Sequence, residues 1–113
     1  MGVSEEQIRA LVDAETAAWN VRDADALVSR WKLSWQALFD THDLVHNNRE
    51  TLRVAVSDQG DGAFAVVDVD TLWLNRSTRQ WFHWKGRACK VYTRVGDRWL
   101  FLFQTGLLEY GPR

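Results

Sequence analysis

A chain of 113 residues makes one domain, residues 1–113, because burying roughly two-thirds of its unfolded surface leaves no room for a second core. Hydrophobic residues make up 46% and charged residues 26%, an ordinary globular composition. Fourteen basic against fifteen acidic residues give a net charge of −1, which argues against the basic excess that nucleic acid or an anionic membrane surface requires.

Ser4-Glu5-Glu6-Gln7 reads as a capping box, with Ser4 accepting from the first turn and Gln7 reaching back. Ile8, Leu11, Val12, Ala18 and Trp19 then recur at helical spacing, which predicts an amphipathic helix over Ser4 to Asn20. Asn20-Val21-Arg22-Asp23 breaks it, and Asp23 is placed to cap a second helix carrying Ala24, Leu27 and Val28. Arg30 to Asp40 is helical again, with Trp31, Trp35, Leu38 and Phe39 on one face. Asp23 to Thr41 is therefore either one unbroken helix or two with a short or absent connection.

From Leu44 the period changes to two. Leu52, Val54 and Val56 alternate with Arg53, Ala55 and Ser57, and a turn cluster follows over Asp58 to Gly62. Ala63 to Leu74 is a valine-rich strand, Asn75 to Arg79 a loop, and Gln80 to Val95 a further strand. Gly96-Asp97 makes a two-residue hairpin turn into a last strand, Arg98 to Leu108, before a short tail from Glu109 to Arg113. Helices first and a four-stranded antiparallel meander second define an α+β fold with the helices on one face of the sheet. Strands this long suggest a strongly curved sheet.

The order of these landmarks resembles the NTF2-like superfamily of cone-shaped folds, closest to its SnoaL-like and ketosteroid-isomerase-like branches. The resemblance rests on the helix from Ile8 to Asn20, the break at Arg22-Asp23-Ala24-Asp25-Ala26-Leu27, and His46-Asn47-Asn48 ahead of a strand. It rests also on Gly60-Asp61-Gly62-Ala63 at a hairpin and Gly96-Asp97-Arg98-Trp99 at the last strand. It covers the whole chain, although no one motif is specific. Members usually place a strand and a loop before the helix that carries Trp31 and Trp35, whereas here Ser29 runs directly into Arg30. The resemblance implies a ligand seat inside a cone, with one wall open where that segment is absent.

The hairpin at Gly96-Asp97 sets a register: Arg94 pairs with Trp99, Tyr92 with Phe101 and Lys90 with Phe103. Pairing Leu74 with Gln80 then brings Asp70 opposite Trp84 and Asp68 opposite Gly86. Under that register Asp68, Asp70, Phe82, Trp84, Tyr92, Trp99, Phe101 and Phe103 share an aromatic face, and a slip by one residue exchanges the faces of the earlier strands. Asp68 and Asp70 interrupt a valine run, so they are the candidate general acid–base groups, with pKa values raised by desolvation. The plain alternative is that both face solvent and pair with Lys85, Arg87 or Lys90. His46, at the entrance of the neighbouring strand, is the expected partner of Asp70, or else a histidine satisfied at the helix–strand junction. His42 and His46 are a metal pair only if a helix reaches them; with no third ligand visible, no metal is expected. Cys89 reads as a small buried hydrophobe, and as the sole cysteine it excludes an internal disulfide. No phosphate-binding fingerprint exists, so no cofactor is expected.

Seven tryptophans are many for so short a chain, and each either fills the core or lines a cavity or subunit interface. Trp35, Trp84, Tyr92, Phe101 and Phe103 are the candidate substrate-binding wall for a small apolar or aromatic molecule. The chemistry expected there is cofactor-free isomerisation, cyclisation, dehydration or hydrolysis. The alternative is a non-catalytic interaction module. A homodimer is expected through the opposite face, where Trp73, Val67, Val69, Val91, Leu100 and Leu102 are too apolar for solvent. No apolar run approaches the roughly 20 residues of a membrane span. The acidic start, Met1 to Glu6, has no signal-peptide core, so a cytoplasmic setting is expected.

Overall fold

The structure, a computed structural model, describes residues 2–23 and 32–111. Helix α1 (Gly2–Asn20) and helix α2 (Lys32–Thr41) precede strands β1 (His42–Val56), β2 (Gly62–Asn75), β3 (Trp81–Val95) and β4 (Arg98–Gly111). The strands hydrogen-bond in chain order and every neighbouring pair is antiparallel, so the sheet is an open meander with both helices against one face. This is the α+β architecture that the change of hydrophobic period predicts.

Helix α1 begins at Gly2, so Ser4 lies inside its first turn and does not cap it. The side chains of the expected capping box are engaged elsewhere. Glu5 accepts from the Arg9 guanidinium one turn on, at 3.1 and 3.2 Å, and Gln7 Oε1 accepts from Trp99 Nε1 at 3.2 Å. Ile8, Val12, Ala18 and Trp19 are buried, whereas Leu11 is at the edge of the stripe and 36% exposed. The helix ends in a Schellman motif: Asp23 N–H donates to Ala18 O and Arg22 N–H to Trp19 O, with Arg22 at φ 56°. The capping role expected of Asp23, the residues Ala24, Leu27, Val28 and Trp31, and the Ser29–Arg30 junction belong to a stretch outside the described residues. Helix α2 closes on Arg76, whose guanidinium donates to the carbonyls of Phe39, Asp40 and His42 and pairs with Asp43. A cation there satisfies the helix's last carbonyls and complements its dipole.

The β3–β4 hairpin has the expected register from Val95–Arg98 to Tyr92–Phe101. A bulge at Leu102 then shifts it, so Lys90 faces Gln104 and Phe103 faces Val91. Phe103 is thereby placed on the outer face, 52% exposed, and not on the aromatic wall. Strand β4 continues to Gly111, opposite His83, so Glu109 to Gly111 is strand and not tail.

The β2–β3 register also differs from expectation. Asn75 N–H donates to Gln80 O at 2.9 Å, so Asn75, not Leu74, closes the loop, and Leu74 faces Trp81. Two things hold that loop: the Asn75 carboxamide, which accepts from Ser77 and Thr78 N–H, and Arg79 at φ 63°. The one-residue slip turns Asp68 and Asp70 to the outer face, opposite Arg87 and Lys85 rather than Gly86 and Trp84. It brings Val67, Val69, Thr71 and Trp73 inward as core, so Val67, Val69 and Trp73 cannot form the dimer face expected of them.

The inner face is filled by rings. Trp19 makes edge contacts with Trp35, Phe39, Trp73 and Trp84 at centroid distances of 5.0, 5.7, 6.2 and 5.4 Å. Such pairs contribute about 0.5–1.5 kcal/mol each beyond the area they bury. At the other end of the face Lys90 is 1% exposed, its Nζ donating to Glu15 of α1 at 2.7 Å and to Gln104 at 2.6 Å. Burial pulls the Lys90 ammonium down from its usual range, and the Glu15 carboxylate opposes that shift. Gly106 is at φ 150°, and a Cβ there would meet the Arg87 carbonyl oxygen at 2.3 Å, so only glycine fits this approach of β4 to β3.

Candidate functional site

A β-bulge decides where His46 points. Leu44 faces Trp73 on the inner side, and an uninterrupted register would set His46 across from Thr71, inward. The extra residue Val45 shifts the pairing so that His46 faces Leu72 on the outer side. On the other flank of Leu72 stands His83 of β3. Asp70, two residues back along β2, lies diagonally between the two histidines.

The three side chains meet. His46 Nε2 is 2.9 Å and His83 Nε2 2.6 Å from the same oxygen, Asp70 Oδ1. The hydrogen bond expected between His46 and Asp70 is thus present, on the face opposite to the aromatic one. The bonds from His83 and then His46 hold the Asp70 carboxyl down at about 2, against 3.8 for an ordinary aspartate. That corrects the expectation of a desolvated carboxyl with a raised pKa: Asp70 is 37% exposed and charged. Lys85 is its direct cross-strand neighbour, yet among the described residues no ion pair joins them.

Asp68 takes the ordinary course for a solvent-facing carboxylate. Arg87 clamps it with two bonds, at 2.7 and 3.3 Å, and holds its pKa down. Asp68, Asp70, Asn48, Glu50, Lys85 and Arg87 line an open cleft of about 680 Å³ beside the histidine pair. That volume is in the range of small-molecule sites. His42 stands apart, its Nδ1 at 2.8 Å from Thr41 Oγ1 and its ring near Phe82.

Of the expected aromatic wall, Trp84, Tyr92, Trp35 and Phe101 are on the inner face, packed against other core residues. Burial pushes the Tyr92 phenol pKa up. Among these rings the indole N–H groups of Trp19 and Trp73 are buried with no hydrogen-bond partner. His83 and Lys90 were not singled out by the sequence. His83 is one unremarkable position in a strand, and only its β2 partner gives it meaning.

Among the described residues no helix is long and apolar enough to cross a membrane. Comparison of the chain with protein-family models, with curated proteins and with solved structures gives no match. The described residues form an α+β fold of two helices on a four-stranded antiparallel meander.

Proposed function

We propose that the protein binds a small polar molecule in the outer-face cleft and presents to it the His46–Asp70–His83 cluster as the reacting centre. The observation that carries this reading is the convergence of two imidazoles on one carboxylate oxygen at the side of a cleft. Arg87 neutralises Asp68, while Lys85 and Glu50 form no ion pair among the described residues and are left to orient a ligand. An anionic group suits Lys85. The chemistry these side chains supply is proton transfer, as isomerisation, dehydration or hydrolysis requires. Helices ahead of a four-stranded meander support an NTF2-like scaffold with a sheet curved as in that cone-shaped fold. A free, half-buried Cys89 fits a reducing, cytoplasmic setting.

The test is an amide NMR titration of the labelled protein with a panel of small carboxylates and phosphate esters. A binder should shift Asn48, Glu50, Lys85 and Gly86, and Lys85→Ala should abolish those shifts. A panel that shifts nothing, or shifts only the tryptophans of the inner face, would overturn the cleft assignment.

A second reading, a homodimerising module, is favoured by the other end of the outer face. Phe64, Leu100, Leu102 and Phe103 are 37–54% exposed there, beside Val66 and Val91. Sedimentation at micromolar concentration should show a dimer that Leu102→Asp dissociates, and a monomeric parent protein would refute this reading.

A further inference from the structure

We propose that His46, Asp70 and His83 form the seat of a divalent first-row transition-metal ion, with Zn²⁺ the first candidate. The inference rests on the choice of this cluster as the chemical centre and goes beyond the cleft reading by naming the ion it takes. One ring nitrogen of each histidine and a carboxylate oxygen of Asp70 all lie within 4.8 Å of one another. An ion about 2.0–2.2 Å from each donor sets neighbouring donors roughly 3 Å apart. The two His–Asp separations, 2.9 and 2.6 Å, are close to that edge length, and the third, between the histidine ring nitrogens, is at most 4.8 Å.

Several features suit a metal seat in addition to a proton relay. A relay needs one imidazole on the carboxylate, oriented through one ring nitrogen, with the other nitrogen free for substrate. Here two imidazoles present the same ring atom to the same oxygen, which is how ligands converge on a common centre. Asp70 also forgoes an ion pair with Lys85 across the strand, the ordinary arrangement for a solvent-facing carboxylate. The neighbouring carboxylates Asp68 and Asp43 are held by Arg87 and Arg76, so neither competes for the ion. Three ligands on three adjacent strands are positioned by the ladder itself and not by a loop.

Two imidazoles and one carboxylate on one side of the ion leave its remaining positions open. The three side chains are 33%, 37% and 20% exposed, so those positions face solvent and the cleft. On uptake both N–H···O bonds to Asp70 are replaced. Each neutral imidazole moves its proton to Nδ1 and binds through Nε2, and any imidazolium releases one proton to solvent. With the ion in place, water in an open position would be polarised beside a ligand anchored on Lys85, which suits hydrolysis.

The test uses the full chain stripped with a chelator and then titrated with Zn²⁺ alone, by calorimetry and by the imidazole resonances in NMR. One ion should bind per chain, shifting the His46 and His83 resonances and leaving those of His42 in place, and the melting temperature should rise. His46→Ala, Asp70→Asn and His83→Ala should each weaken binding at least tenfold, and His42→Ala should not. Absence of saturable binding by the folded parent chain would overturn the proposal. So would binding that moves His42 as much as His83, a readout that needs no variant to fold. Failure here with cleft binding retained would remove only the metal. Metal binding without any cleft ligand would instead remove the cleft reading.

Discussion

Asp70 stabilises the fold through the two imidazole bonds that depress its pKa. Its folded pKa, about 2, is below the 3.8 of the unfolded chain, so the stability it contributes is present above about pH 4. That contribution is lost as pH falls toward 2, because the unfolded carboxyl then binds a proton the folded one refuses. Acid unfolding followed by circular dichroism should show this loss in the parent protein and a flatter profile in Asp70→Asn between pH 4 and 2. Arg22 makes a simpler case. A non-glycine residue at φ 56° in the helix stop is strained, and among the described residues its side chain makes a long 3.5 Å hydrogen bond to His42 O. Arg22→Gly should raise stability by roughly 0.5–1 kcal/mol, read as a shift in the urea midpoint.

At the scale of elements, the site is made by register. Val45 is the extra residue between Leu44 and His46, so deleting it should restore continuous pairing with Leu44 still on Trp73 and His46 still on Leu72. The variant should keep the strand content of the parent in far-ultraviolet circular dichroism and keep the coupling between His46 and Asp70 in NMR. Loss of that coupling would show that the bulge geometry itself, and not the pairing alone, aims the imidazole. The same feature explains what the sequence could not disclose. Existence and type of the six elements follow from period, Gly96-Asp97 fixes the nearest pairings, and both aspartates stand out against valines. The faces do not follow, because a five-residue loop, a bulge at Val45 and a bulge at Leu102 each shift the pairing by one residue. One residue exchanges inside for outside. His83 was invisible for that reason: its importance comes from Asp70, thirteen residues earlier, through a slip decided by Asn75 and Gln80.

At the scale of the molecule, α1 is held along one face by unlike forces. Trp19 is the hub of four ring contacts at its C-terminal end. Trp19→Ala should cost about 3–5 kcal/mol, measured by denaturant unfolding. Polar bonds fix α1 elsewhere along its length, the Gln7–Trp99 bond in its N-terminal half and the Glu15–Lys90 pair one turn before Trp19. Removing one partner leaves the other charge buried, so Glu15→Ala should cost about 3 kcal/mol, whereas Glu15→Met with Lys90→Met should come close to the parent stability. A double-mutant result as costly as the single one would show that the pair matters for more than its own charge.

The meander has a kinetic corollary. Every strand pairs with the strand next in sequence, so each ladder can zip from its own turn and loop-closure entropy stays small. The distant closures are those of α1 onto the far strands: Gln7 with Trp99 spans 92 residues and Glu15 with Lys90 spans 75. These contacts should form after the folding barrier. Gln7→Ala and Glu15→Ala should therefore steepen unfolding rates in stopped-flow experiments and leave folding rates nearly unchanged, with φ-values near zero. Fast, hairpin-led folding would then be followed by late docking of the first helix made by the chain.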